Sequence, residues 1–356
     1  MRHCVPFERP ADNVSLAPFT TLGVGGPARW FARAASVEDL VAASRWRDAP
    51  LFVLGGGSNL VVSDEGFDGV VVLIAIQGIV TTAAGPDTRV SAGAGESWDG
   101  FVSFAVKHGF AGIECLSGIP GTVGGTPIQN VGAYGQEVAS IIEWVDAVDR
   151  ETGAAVRLSG ADCAFGYRTS RFKRDDAGRF MICNVTFRLQ PGAAATMTYP
   201  DLAAYFSGQE SVSPDVRAVR EAVLAIRRRK GMVVDAGDPD TRSVGSFFMN
   251  PVVDRSVFEQ IAAAPGYPMQ NDTVKIPAAW LIEHSGFGRG YVDGAVGLST
   301  KHPLAIVNRG GATARDVVRL ACSIKRTVLD RFGIGLRPEP VFVGFIDDAD
   351  IEFLRG

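Results

Sequence analysis

Leu54-Gly55-Gly56-Gly57-Ser58-Asn59-Leu60-Val61-Val62 is the stretch on which the reading of the fold turns. It follows Leu51–Leu54, a short apolar run of strand type. A glycine-rich turn after a strand makes a Rossmann phosphate site when a helix follows, because the helix N-terminus supplies the dipole and free N–H groups. Here the position of the last fingerprint glycine is Leu60, and Val61-Val62 reads as a further strand. A nucleotide held at this turn is therefore held by loops.

A second glycine cluster, Ser117-Gly118-Ile119-Pro120-Gly121-Thr122-Val123-Gly124-Gly125, leads into Thr126-Pro127-Ile128-Gln129-Asn130-Val131-Gly132-Ala133-Tyr134-Gly135. Backbone N–H groups unobstructed by Cβ atoms can form an anion-binding concavity, and Ser, Thr, Gln and Asn add side-chain partners. A single cluster reads equally well as tight turns. Two of them, without a Walker A loop, favour a dinucleotide held by loops.

Other runs bounded by Gly or Pro read as strands: Val70–Ile76, Ile141–Val148, Met181–Leu189, Ala305–Asn308 and Val341–Phe345. Asp149–Gly153 reads as a hairpin turn between Val145–Val148 and Ala155–Leu158. Helices are predicted after Ser36 (with Asp39 for a capping box), after Ser97 (stopped by Gly109), after Ser213-Pro214, and after Thr313 (with Asp316, stopped by Gly333). Strands and helices mix without strict alternation, so the fold class is α+β. A shift in composition near Gly231–Ser243 marks a boundary, with Met232–Phe332 as a separate lobe.

The 356 residues are 46% hydrophobic and 21% charged, ordinary for a globular protein with a sizeable core. A net charge of −4 gives no basic field for nucleic acid or an anionic membrane. The longest apolar run, Val70–Ile76, is far short of the ~20 residues that span a bilayer, and Met1–Glu8 lacks a signal-peptide core. The five cysteines (Cys4, Cys115, Cys163, Cys183, Cys322) form no C-x-x-C pair, which suits reduced thiols and a cytoplasmic setting. With only four histidines and none at ligand spacing, no metal site is expected. Glycine is in excess, 42 residues, or about 12% against a usual ~7%.

No lysine follows a glycine, and neither a G-x-S-x-G elbow nor H-E-x-x-H occurs. Three polar insertions remain: Arg168 in Phe165-Gly166-Tyr167-Arg168, Ser246 in Gly245-Ser246-Phe247-Phe248-Met249-Asn250-Pro251, and Glu339 in Arg337-Pro338-Glu339-Pro340. Each alone reads as structural: a paired Arg, a turn cap, an exposed proline turn. Together an Arg, a Ser and a Glu suit stabilisation and protonation of an enolate beside a carboxylate. Arg227–Arg229 read as the solvated end of a helix, His302 and Trp280 as packing residues, and Cys115 as a small buried hydrophobe.

Taken in order, Leu54–Asn59, Gly93-Ala94-Gly95-Glu96, Ile119–Gly125, Pro127–Gly135, Phe165–Arg168, Gly245–Phe248 and Pro338–Pro340 resemble the UDP-N-acetylenolpyruvoylglucosamine reductase family over about Thr20–Gly344. The resemblance implies a vanillyl-alcohol-oxidase-like FAD-binding fold of two subdomains plus a C-terminal α+β substrate-binding domain. It implies residues 1–76 (rejoined by 341–356), 77–231 and 232–340 as the three parts. It further implies non-covalent FAD, NADPH as co-substrate, and reduction of UDP-N-acetylglucosamine enolpyruvate to UDP-N-acetylmuramate for bacterial peptidoglycan, by a monomer. Another FAD oxidoreductase of this fold, acting on a sugar or alcohol with tethered flavin, stays open; Thr20–Gly26 offers neither His nor Cys for a tether.

Carried over residue by residue, the resemblance implies that Gly55, Gly56, Gly57, Ser58 and Asn59, with Gly118, Ile119, Pro120, Gly121, Thr122, Gly124 and Gly125, hold FAD. Ser246 becomes the proton donor, and Arg168 and Glu339 polarise the enolpyruvyl carboxylate. Tyr199, in Tyr199-Pro200-Asp201-Leu202, matches the tyrosine that closes over the UDP diphosphate in the longer-loop subtype. Lys230 matches the diphosphate lysine, and Tyr134 and Asn250 match substrate contacts. Met249 stands where the family often has Lys, Thr20-Thr21 where many members read Asn-Thr, and Met232–Arg242 is unlike the family pattern.

Overall fold

The computed structural model describes residues 10–47, 49–195, 197–207, 214–261 and 263–356; Cys4 and the Ser213 cap lie outside them. The chain forms two compact units. The first comprises Met1–Val14, Ala28–Gly56 and Asp68–Arg228; the second comprises Ser15–Pro27, Gly57–Phe67 and Arg229–Gly356.

An antiparallel sheet organises the first unit, in the order Ala155–Ser159, Ile142–Asp149, Phe180–Pro191, Asp87–Gly93, Ile79–Ala84. The expected hairpin is there, with Val145 opposite Leu158 and Val148 opposite Ala155. Helix Trp98–Lys107 packs its stripe of Trp98, Phe101, Val102, Ala105 and Val106 into the core. Its Ser97 cap accepts the Gly100 N–H, and Gly109 beyond its end has φ +71°. Phe101 and Trp98 meet the sheet through Phe187, at ring separations of 4.8 and 5.8 Å. Leu51–Leu54 runs parallel to Phe67–Ile74, Leu51 opposite Val70. Val70, Val71 and Val72 are all buried, as befits a continuous apolar strand covered on both faces.

In the second unit, Leu60–Val62 pairs in parallel with Val341–Val343, Val61 opposite Phe342. The strand continuation after the glycine turn is thus real. Its partner comes from the end of the chain. Helix Ala314–Phe332 starts in a capping box of Thr313 and Asp316 and stops at Gly333, φ 68°. Asp64, just past Leu60–Val62, accepts the N–H groups of Ala314 and Arg315 at 2.7 and 2.9 Å. A carboxylate there meets both the orphan donors and the positive end of the helix. Val317, Leu320, Ile324 and Val328 bury the inner face. Two small sheets, Val292–Asp293/Val296–Leu298/Ile306–Asn308 and Val252–Asp254/Thr273–Lys275/Tyr267–Pro268, complete the unit.

The two units divide the chain at other places than the three-part expectation. Residues 15–27 and 57–67 leave the first 76 residues for the unit that holds Arg229–Gly356. The tail strand Val341–Val343 pairs with Leu60–Val62, which lies in that same unit.

Candidate active site

In the first unit the two glycine clusters meet backbone to backbone. A Cβ on Gly56 would lie 2.6 Å from Gly121 Cα, and one on Gly55 would lie 3.0 Å from Thr122 Oγ1. Gly118 and Gly121 have φ +70° and +117°, which side chains resist. Part of the second cluster is engaged inside the protein: Val123, Gly124 and Gly125 N–H donate to the carbonyls of Glu96, Ala94 and Thr122. Gly118 N–H donates to Asp99 Oδ1 at 2.6 Å. The N–H groups of Ile119, Gly121 and Thr122 are not among these donors. Thr122 Oγ1 is buried with no hydrogen-bond partner among the described residues. A buried orphan hydroxyl between two glycine turns is what a polar cofactor bound there would satisfy, so these residues fit FAD. Gly56→Ala is expected to destabilise the unit by about 1–3 kcal/mol through overpacking and to lower bound flavin. Thermal unfolding and the flavin-to-protein absorbance ratio check both.

Asp99 links this cluster to helix Val216–Arg229 through a two-pronged pair with Arg220, at 2.7 and 2.9 Å. Burial alone would raise the Asp99 pKa, but the Arg220 and Gly118 bonds outweigh it and hold the carboxyl below its usual range.

Arg168 sits in a tight turn closed by reciprocal bonds between Gly166 and Thr169. Its φ of +54° is one that a long side chain adopts at a cost. The turn is fixed by Asn130, 2% exposed, whose Nδ2 donates to the Gly166 carbonyl at 3.0 Å and to Glu137 at 2.9 Å. Tyr134, also at positive φ (+50°), packs edge-on against Tyr199 at 5.3 Å. Asn130, expected only as a polar partner in the second glycine cluster, thus sets the Arg168 turn, and Arg227 departs from its expected place at a solvated helix end. Far from being solvated, Arg227 is 8% exposed. Burial pulls its pKa below the ordinary value, with Arg168 adding to the effect and Tyr134 and Asp99 opposing it. Val219, Val223 and Arg227 follow one another at i+4, so the apolar stripe itself carries this arginine inward. Two guanidiniums beside a tyrosine suit an anion. Cys115 is buried as expected, and burial pushes its thiol up to about 12.

The second unit holds Gly57, Ser58, Asn59, Lys230, Ser246, Asn250 and Glu339. Ser246 and Glu339 stand on neighbouring extended segments. Glu339 N–H donates to the Phe247 carbonyl at 2.8 Å and Met249 N–H to the Arg337 carbonyl at 3.0 Å. The proline turn is therefore a paired edge. Asn59 joins the same group: its Nδ2 donates to the Glu339 carbonyl at 3.3 Å, and its own carbonyl accepts Val341 N–H at 2.9 Å. Asn250 Oδ1 accepts the N–H of Ala278, tying it to the first turn of Ala278–Glu283. Lys230 follows the last residue of Val216–Arg229, and Gly231, φ +64°, turns the chain away. His302, read as packing, instead lies 3.1 Å from Ser246 Oγ through Nε2. Among the described residues no group of three or more His, Cys, Asp and Glu side chains could hold a metal ion.

The family description of an FAD binding domain matches residues 29–159, and that of the UDP-N-acetylenolpyruvoylglucosamine reductase C-terminal domain matches residues 238–343. UDP-N-acetylenolpyruvoylglucosamine reductase of Thermobifida fusca is 46% identical over 94% of this chain and 98% of its own length. That of Nocardia farcinica is 49% identical over 94% and 89%.

The chain belongs to the UDP-N-acetylenolpyruvoylglucosamine reductase family.

A crystal structure of UDP-N-acetylenolpyruvylglucosamine reductase from Thermus caldophilus superposes with a TM-score of 0.64 at 27% identity, covering 93% of this chain and 98% of that one. Both glycine clusters of this reductase-family chain fall within the FAD-binding match, and Ser246, Asn250 and Glu339 within the C-terminal match. The α+β expectation, with an FAD-binding part and a separate C-terminal domain, holds for the family member in hand. Among the described residues no helix is long and apolar enough to cross a membrane.

Proposed function

We propose that the protein reduces the enolpyruvyl ether of UDP-N-acetylglucosamine enolpyruvate to UDP-N-acetylmuramate, with non-covalent FAD as cofactor and NADPH as reductant. It is an oxidoreductase of peptidoglycan precursor synthesis. The observation that carries this is near-full-length identity of 46–49% to reductases of that name. FAD, when bound, relays two electrons from NADPH to the carbon–carbon double bond. The chain's own residues do the rest. Gly55, Gly56, Ile119, Gly121 and Thr122 hold the cofactor, with Gly57, Ser58, Asn59, Gly118, Pro120, Gly124 and Gly125 shaping the loops. Ser246 donates the proton that the second carbon of the double bond needs. Arg168 stabilises the charge that gathers on the carboxylate, because charge-assisted bonds strengthen as charge develops. Glu339 orders the same carboxylate. Tyr134, Tyr199, Asn250 and Lys230 contact the sugar and its diphosphate.

The three-part division into 1–76 with 341–356, 77–231 and 232–340 is part of this reading, as are a monomeric state and a cytoplasmic setting. The pairing of Val341–Val343 with Leu60–Val62 supports the return of the tail, and the free, buried Cys163, Cys183 and Cys322 support a reducing compartment. Lys230→Ala is expected to raise KM for the UDP sugar about tenfold or more, since a charged hydrogen bond is worth roughly 1.5–3 kcal/mol. Steady-state kinetics checks it; an unaltered KM makes Lys230 a helix-end residue. The reading as a whole is tested by incubation with the enolpyruvyl sugar and NADPH. It requires NADPH consumption that depends on the sugar and a product two hydrogens heavier, and it fails if the sugar is returned unchanged.

A further inference from the structure

Ser246 is gripped from both sides. On one, Phe247 and Glu339 are joined backbone to backbone. On the other, Phe247 N–H donates to the Leu304 carbonyl at 2.8 Å, which sets Ser246 beside the loop 299–304. That loop is itself tied down. Ser299, fully buried, accepts the N–H groups of Lys301 and His302 at 3.1 and 3.2 Å. Ala305 N–H donates back to the His302 carbonyl at 3.1 Å. Asp240 accepts from both the N–H and the hydroxyl of Thr300, and Asp238 pairs with Lys301 Nζ. Asp238 and Asp240 lie in Met232–Arg242, at the start of the residues that the C-terminal family description matches. That stretch therefore holds the loop that carries His302.

We infer that His302 is a positioning residue for the Ser246 hydroxyl, its Nε2–H donating to Ser246 Oγ across the observed 3.1 Å. The inference rests on the reading of Ser246 as proton donor. A serine hydroxyl has one proton and two acceptor lone pairs. An imidazole that accepted from Ser246 would hold that proton away from the substrate. One that donates leaves Oγ–H free to turn toward it. In the transfer the Oγ–H bond breaks as the new C–H bond forms at the substrate carbon, and the electron pair stays on Oγ. The Nε2–H bond strengthens as that charge grows, and Oγ recovers a proton from solvent water once product has left. No electrons pass in this step.

The test uses the FAD-loaded enzyme and two variants, His302→Ala and His302→Gln. Gln offers an amide N–H at about the reach of Nε2. Stopped-flow absorbance follows flavin reduction by NADPH and reoxidation by the enolpyruvyl sugar separately. His302→Ala is expected to slow reoxidation about tenfold or more while reduction stays within a few-fold, and His302→Gln to restore most of the loss. Side-chain ¹H–¹⁵N spectra of the wild type should show His302 protonated at Nε2, with that signal displaced in Ser246→Ala. Equal slowing of both halves, no slowing, a Gln variant no better than Ala, or an unprotonated Nε2 each overturns the inference. Wild-type enzyme that the sugar fails to reoxidise instead sinks the proposed function, and the spectra still decide whether Nε2–H meets Ser246.

Discussion

Ser246→Ala is expected to leave flavin reduction by NADPH within a few-fold of normal and to slow reoxidation by the enolpyruvyl sugar by about 100- to 10,000-fold, the range typical of a lost general acid. Only the second half of the reaction needs a proton delivered to carbon. Ser246 is also well placed to be lost without collapse. Its flanking backbone bonds, Phe247 to Leu304 and Glu339 to Phe247, do not involve its hydroxyl. The hydroxyl itself pairs with His302 Nε2. Stopped-flow absorbance resolves the two halves. Equal slowing makes Ser246 a structural residue; no slowing moves the proton source elsewhere.

Arg168→Ala carries the second large effect. Removing one donor aimed at developing negative charge costs about 10²–10³ in turnover, and the loss should again fall on reoxidation. Arg168 is held at φ +54° in a turn fixed by the buried Asn130, so the backbone that carries its guanidinium is preorganised. Asn130→Ala is a telling companion. It removes the bond to the Gly166 carbonyl without touching Arg168, and it should lower turnover less than Arg168→Ala does. Single-turnover kinetics of both variants checks the order. An Arg168→Ala enzyme that turns over normally would assign Arg168 to the turn alone.

What the sequence disclosed was what short-range chemistry writes. The capping boxes Ser36/Asp39 and Thr313/Asp316 mark their helices, and Gly333 ends the last long one. Asp149–Gly153 sets a hairpin whose register follows. Val61-Val62 reads as strand because both residues are apolar and β-branched, yet nothing local says that the partner strand is Val341–Val343. The same limit hid the site's supports. Arg227 looks like one more cation in a basic run until its place on the apolar stripe is counted. His302 reaches Ser246 only because Phe247 pairs with Leu304, a contact between segments far apart in the chain. Ala278–Glu283 has its first turn tied to Asn250, 28 positions upstream, and Pro277 before it offers no side-chain cap. The family motifs name the candidate chemical residues; the side chains that hold those residues in place lie outside the motifs.

The visible spectrum of the purified protein tests the account most directly. The protein should be yellow and should release unmodified FAD on denaturation. Its flavin absorbance should bleach on anaerobic addition of NADPH and return on addition of the enolpyruvyl UDP sugar. Colourless protein that takes up no added FAD, or flavin that bleaches with NADPH and stays bleached in the presence of the sugar, would contradict it.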